Sequence, residues 1–265
     1  MMHLCVHIMQ TRTNKYLHMK YNKLGYAICA GLFACSFYSC SSIYMPNVPS
    51  APMFTEAGEV YVSGNINTKA NVSANLGVAV TDHVAVIANG SYVDSRSNIK
   101  DYAQKMGEAG IGYYTRFGRK NNRVFEVYGG YGVGNTNVLD KRSSTMGQAI
   151  VETKDMDFDK VFVQVNFSSE KKDALKLFGN RHDIDYGTII RLSNMRMKNF
   201  AIDGLPAEKE ENMLVEPVFY TRMGLGKGWK LQYTNGMVFG LKSNTYLKAG
   251  YPLFTLGVLY KFGGK

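Results

Sequence analysis

Cys40 is the residue with the most definite chemistry in this chain, because it closes an apolar run and is followed at once by the polar pair Ser41-Ser42. Lys20 and Lys23 precede Leu24 to Tyr38, an apolar stretch too short to span a bilayer comfortably but of the length an export signal uses. Phe37-Tyr38-Ser39 ahead of Cys40 resembles a loose lipobox, so the thiol is expected to become a thioether to diacylglycerol. Leu32-Phe33-Ala34-Cys35 fits such a box more closely, yet Cys35 is followed by further apolar residues that complete the h-region. Both cysteines stay open as the acylated one, with Cys40 preferred. Cleavage there leaves one of the four cysteines (Cys5, Cys29, Cys35, Cys40) at the first mature position, where acylation consumes an otherwise unpaired thiol. Acyl chains contribute roughly 0.8 kcal/mol per buried methylene, so two or three of them anchor a protein firmly. Residues 1–18 carry His3, Cys5, His7 and His18 but form no ordinary n-region; an initiator at Met19 accounts for them better than a metal-binding tail.

A second set of residues could do ionic chemistry. Glu108, Arg116, Glu126, Lys160, Arg191, Glu216, Arg222 and Lys230 each fall on the polar face of an alternating segment. If that face lines a lumen, the charges either set the selectivity of a pore or close on one another as salt bridges; small barrels fill with side chains, which favours closure. Other chemistries fare worse. Only His83 and His182 survive cleavage, too few for a zinc site beside an acylated cysteine, so no metal or cofactor is expected. His182, Asp183 and Asp185 would be the candidates for an omptin-like protease, but they fall at the periplasmic end, and no G-x-S-x-G elbow is present. Tyr128 to Gly134 (YGGYGVG) has the glycines of a phosphate loop but no helix after it; at strand period its glycines make room for neighbouring aromatics.

The elements that must position these residues are strands. Beyond Glu59 the chain alternates with period two in segments of about ten residues: 59–68, 71–81, 84–94, 105–117, 123–134, 157–168, 184–198, 212–224, 229–241 and 253–262. The expected fold class is all-β, an antiparallel up-and-down transmembrane β-barrel of about ten strands (8 to 12), behind a lipoprotein signal peptide at 1–39. In strand four, Ala109, Ile111, Tyr113 and Phe117 suit lipid, opposite Glu108, Tyr114 and Arg116. In strand five Phe125, Val127, Tyr131 and Val133 oppose Glu126 and Tyr128; in strand eight Met213, Val215, Phe219 and Met223 oppose Glu216, Tyr220 and Arg222. Short connections alternate with long ones (95–104, 135–156, 199–211, 242–252), so both chain ends should face the periplasm, with the lipid there. The misfit is 169–183, a long connection on the short-turn side whose Ala174 to Phe178 could be a short helix. Residues 40–58, with Pro46, Pro49 and Pro52 at three-residue spacing, read as an extended tether from the lipid to the barrel at 59–265.

Composition narrows the partners. The full chain carries a net charge of +10; residues 1–39 hold four basic and no acidic side chains, which leaves +6 on the mature protein. A modest excess of this kind suits outer-membrane lipid and lipopolysaccharide, though lysine scattered over loops and turns accounts for it more simply, and no basic cluster or aromatic motif points to nucleic acid. Thr255, Gly257, Tyr260 and Phe262 in the last strand match the polar-x-Gly-x-x-aromatic-x-aromatic signal read by the barrel assembly machinery.

The segments CSSIYMPNVPSAPMFTEAGEVYVSG (40–64), GYYTRFG (112–118), VFEVYGG (124–130) and EPVFYTR (216–222) together resemble a family of Bacteroidetes outer-membrane barrel lipoproteins of uncharacterised function. The resemblance runs from Met19 almost to the end and implies a fold and a cell-envelope location, with no catalytic residue to transfer. The expected function is therefore a non-enzymatic, lipid-anchored outer-membrane barrel with a structural, surface-interaction or envelope role. A narrow pore, or a periplasmic lipid-tethered β-sandwich or lipocalin-like binder, are the alternatives.

Overall fold

The computed structural model describes residues 42–144, 147–177, 179–248 and 250–264. Among them all regular structure is β-strand. In chain order the strands are β1 (Val60–Asn67), β2 (Val72–Ala79), β3 (Val84–Arg96), β4 (Lys100–Phe117), β5 (Arg123–Ser144), β6 (Gly147–Leu177) and β7 (Asn180–Ile202). They continue with β8 (Leu205–Pro206), β9 (Glu211–Gly226), β10 (Trp229–Gly236), β11 (Phe239–Gly240) and β12 (Leu253–Phe262). Two of these are two-residue pairs; the other ten form one antiparallel sheet that closes where β12 meets β1 and β7 meets β9. This is the ten-stranded barrel expected, and a two-sheet sandwich is excluded by the closure.

Alternation along each strand sorts the side chains. In β12, Leu253, Thr255, Gly257 and Leu259 are buried inside while Phe254, Leu256, Val258 and Phe262 are exposed outside. The same outward register carries Val62, Leu76, Ile111, Tyr131, Val133, Val161, Val163, Ile190, Leu192, Phe219 and Leu231, so the exposed surface is a continuous apolar belt. Water would penalise so much exposed hydrocarbon; a bilayer does not, and the polar interior completes the outer-membrane pattern. Toward the end that holds the chain's C-terminus the belt turns aromatic. Trp229 stacks on Tyr260 with centroids 4.6 Å apart, Tyr260 on Phe262 at 5.2 Å, and Phe125 meets Phe167 at 4.9 Å, a girdle at the level of the headgroups.

Three expectations about connections are corrected. Residues 135–156 and 169–183 are mostly strand, because β5, β6 and β7 continue well past the belt as paired hairpins. Ala174 to Leu177 therefore lie in β6 and not in a helix; a register shift between Lys171 and Leu175 absorbs the irregularity. The β3–β4 connection shrinks to 97–99, since Lys100 to Gln104 pair with Thr136 to Asp140. The longest connection, 237–252, stays at the end where the chain also turns at 68–71, 97–99 and 203–210.

The larger correction concerns the proline-spaced segment. Every residue from Ser42 to Phe54 is buried, and its partners come from the inner faces of β2 through β6 and β12, so it runs inside the barrel and not outside it as a tether. We refer to it as the strap.

Candidate functional site

The lumen and the strap within it form the chemically organised part of the molecule. Polyproline-like backbone makes no hydrogen bonds to itself, so burying it requires outside partners for its amides, while each proline removes one donor from that demand. The inner faces of the strands supply the partners in order of depth. Near the long-loop end Ile43 N–H donates to the Tyr246 carbonyl (3.4 Å), and Tyr102 Oη donates to the Ile43 carbonyl (3.0 Å). Met45 is held on both sides by one side chain: its N–H donates to Gln104 Oε1 (2.9 Å) and its carbonyl accepts from Gln104 Nε2 (2.6 Å), as a neighbouring strand would do. Asn47 Nδ2 donates to Glu108 Oε1 (3.0 Å). Deeper still, the Ser50 carbonyl accepts from Gln164 Nε2 (2.6 Å) and Asn166 Nδ2 (3.2 Å). At the short-turn end Met53 N–H donates to Glu126 Oε1 (3.1 Å) and its carbonyl accepts from Lys261 Nζ (2.7 Å). There Met53 adopts a φ of 56°, a left-handed conformation unusual for methionine, just before the chain turns out toward β1.

Charge is balanced around this path. Glu108 sits between Arg191 (2.7 Å) and Lys160 (2.8 Å), all three fully buried on β4, β7 and β6. Arg191 also donates to Gln164 Oε1 through Nε (3.0 Å) and Nη2 (2.6 Å) and lies 4.5 Å over the Phe162 ring. Lys160 Nζ donates to Tyr44 Oη of the strap (3.3 Å). Glu216 accepts from Ser193 Oγ (2.6 Å), and Glu126 accepts from Asn166 Nδ2 (3.0 Å) and Tyr128 Oη (3.1 Å). Arg222 donates through Nε to Gln232 Oε1 (2.7 Å) with its guanidinium 4.3 Å over Tyr220. An isolated charge in this setting would be costly, and each of these has a polar or aromatic partner.

The eight residues expected in the lumen thus fall into three groups. Glu108, Lys160 and Arg191 are brought into one contact; Glu126, Glu216 and Arg222 are buried nearby with other partners. Lys230 lies toward the short-turn mouth and pairs with Asp185 at 2.6 Å. Arg116 shares that mouth: it keeps the inward register, lines the same cavity as Lys230 and Asp185, is exposed, and donates through Nε to the Asn121 carbonyl (2.9 Å). Sequence reasoning missed Gln104, Asn89, Gln164 and Asn166, which bind the strap or its partners, because uncharged amides on a polar strand face carry no signal of what they will hold.

The interior glycines make the space. A Cβ on Gly130 would run into the Phe162 ring, and one on Gly134 into the Phe158 ring. Phe158 in turn meets Tyr44 of the strap edge-on at 5.8 Å. In the last strand Thr255 and Gly257 face inward, Gly257 against Asn65 and the Gly64 carbonyl, while Tyr260 and Phe262 lie in the outer aromatic girdle. Cys40 and the whole signal segment lie outside the described residues. The protease candidates do not converge: His182 Nδ1 bonds the Gly224 carbonyl (2.7 Å), Asp183 accepts from the Asp173 N–H (2.8 Å), and Asp185 belongs to Lys230.

No family model matches this chain, and no curated protein does. Among solved structures it is similar to the translocator domain of autotransporter NalP from Neisseria meningitidis, at 12% identity over 78% of this chain and 81% of that one, TM-score 0.38. It is also similar to the β domain of the Bordetella autotransporter Brka, at 12% identity over 78% of this chain and 100% of that one, TM-score 0.26. The alcaligin outer-membrane receptor FauA from Bordetella pertussis matches at 11% identity over 80% of this chain but only 42% of its own length, TM-score 0.22.

Proposed function

We propose that this protein is a lipid-anchored outer-membrane barrel sealed by its own N-terminal strap, with a non-enzymatic role at the cell surface or in the envelope. The supporting observation is the strap itself: thirteen consecutive buried residues, Ser42 to Phe54, occupy the space through which a solute would pass. The charges that could have lined a pore are spent on one another and on the strap, Glu108 on Lys160, Arg191 and Asn47 above all. A surface role also suits the Bacteroidetes lipoproteins that the sequence resembles, and lipopolysaccharide is the neighbour that the net positive charge would meet.

Conductance in planar bilayers tests this reading. The purified full-length barrel, checked for folding by heat-modifiable gel migration, is expected to insert without giving steady channels. Ohmic, persistent conductance from the folded wild-type protein would replace the sealed barrel with a pore.

A further inference from the structure

At the short-turn mouth a cavity of about 350 Å³ opens between the end of the strap and the surrounding strand ends. Four cations line it, Arg116, Arg222, Lys230 and Lys261, against three carboxylates, Glu59, Glu170 and Asp185. The carboxylates are not shared evenly. Asp185 pairs with Lys230 at 2.6 Å and Glu59 with Lys261 at 2.9 Å, while Arg116 and Glu170 offset each other in charge. Arg222 is the surplus: it is 2% exposed and forms an ion pair with no carboxylate among the described residues. Asp185 stands directly across from it in the β7–β9 register, yet that carboxylate is held by Lys230.

The guanidinium is held as a preformed fork. Its Nε donates to Gln232 Oε1 (2.7 Å), and it lies 4.3 Å over the Tyr220 ring and 5.6 Å over the Tyr61 ring, so neutral neighbours fix its position. Among the described residues nothing accepts from Nη1 or Nη2. A buried guanidinium with most of its N–H donors unengaged is costly, and one that lines a cavity can recover that cost from a ligand. The planar Nη edge matches the two oxygens of a carboxylate, and the surplus of one positive charge in the lining (4 minus 3) matches its single negative charge. A phosphate group, at about −1.5 to −2, would exceed that surplus. Pro52, Val124 and Leu259 add apolar wall, which suits a hydrocarbon body behind the acid, and the volume falls at the low end of the roughly 300–1,000 Å³ of small-molecule sites. We propose that this mouth binds a small organic carboxylate, its oxygens received by the Arg222 fork and its body packed against those three side chains. Short turns face the periplasm in barrels of this architecture, so the ligand would enter from that side. The site requires neither an acyl anchor nor a conducting lumen.

The probe is para-fluorobenzoate, titrated against the folded full-length barrel in detergent and followed by fluorine NMR, with para-fluorobenzamide as the neutral analogue of the same shape. Both are added to the wild type and to Arg222→Gln, each protein checked for folding by heat-modifiable migration. The wild type is expected to bind the acid saturably and the amide at least about tenfold more weakly. Arg222→Gln should lose about tenfold or more for the acid, the usual consequence of removing a hydrogen bond to a charged group. Equal binding of acid and amide, an acid that does not saturate, or an Arg222→Gln protein that binds the acid as tightly as the wild type overturns the proposal. Should Arg222→Gln not fold, Arg116→Glu takes its place, since that side chain is exposed and its replacement changes the charge of the lining from +1 to −1 without touching the packed lumen. It is expected to weaken binding of the acid by about fivefold and to leave the amide unaffected. An unchanged affinity for the acid in Arg116→Glu overturns the assignment of the site to this mouth.

Discussion

Glu108 is the residue on which the interior turns, because among the described residues it alone touches two buried cations and the strap. Its carboxylate lies 2.7 Å from Arg191 and 2.8 Å from Lys160 and accepts from Asn47 and Asn89. Two cations held this close repel unless the carboxylate stands between them. Glu108→Gln is expected to cost about 3–5 kcal/mol, the usual consequence of leaving a buried charge without its partner. The readout is the denaturant or temperature at which the heat-modifiable folded band disappears, which should fall clearly below that of the wild type. An unchanged midpoint would mean that water reaches Lys160 and Arg191.

At the scale of elements, the strap behaves as an eleventh structural member that makes no ladder. Its three prolines, Pro46, Pro49 and Pro52, reduce the number of buried amides needing acceptors, and they restrict the unfolded chain as well. Replacing all three with alanine adds three N–H groups to a buried segment, each of which needs an acceptor placed to receive it. Each unsatisfied donor costs about 1–3 kcal/mol, and each lost proline a further 0.4–1 kcal/mol or about that through the unfolded state. The triple variant is expected to give intermittent channel openings in planar bilayers where the wild type is silent. A triple variant as silent as the wild type would show that the strap does not depend on its prolines. The strands were well marked in the sequence because inward and outward faces alternate locally: β12 begins and ends at the expected residues, 253 and 262. Their extensions were not, since residues 135–144 and 169–177 are polar hairpin arms whose only reason to be strand is the arm beside them.

For the whole molecule, the governing fact is a barrel whose outside is oilier than its inside. Leu256 lies midway along β12, 59% exposed between Phe254 and Val258. Leu256→Arg is expected to destabilise the membrane-inserted barrel by about 2–4 kcal/mol, as a cation near the bilayer midplane does, and to reduce recovery in the outer-membrane fraction. Cys40→Ala should leave the barrel in that fraction and resistant to alkaline carbonate, because closed strands and not acyl chains hold it there. A Cys40→Ala protein that became soluble would contradict the membrane assignment for the belt.

Taken by itself, the sequence determined the barrel, its near-complete strand register and which charges face inward, because each depends on neighbours one or two residues away. Only the tertiary structure decided what fills the lumen. Polyproline-like chain satisfies nothing internally, so residues 42–54 look the same whether they are destined for water or for a polar tube. The choice was made by Gln104, Glu108, Glu126, Gln164, Asn166 and Lys261, which converge on one path only when β4, β5, β6 and β12 are curled into the same closed sheet.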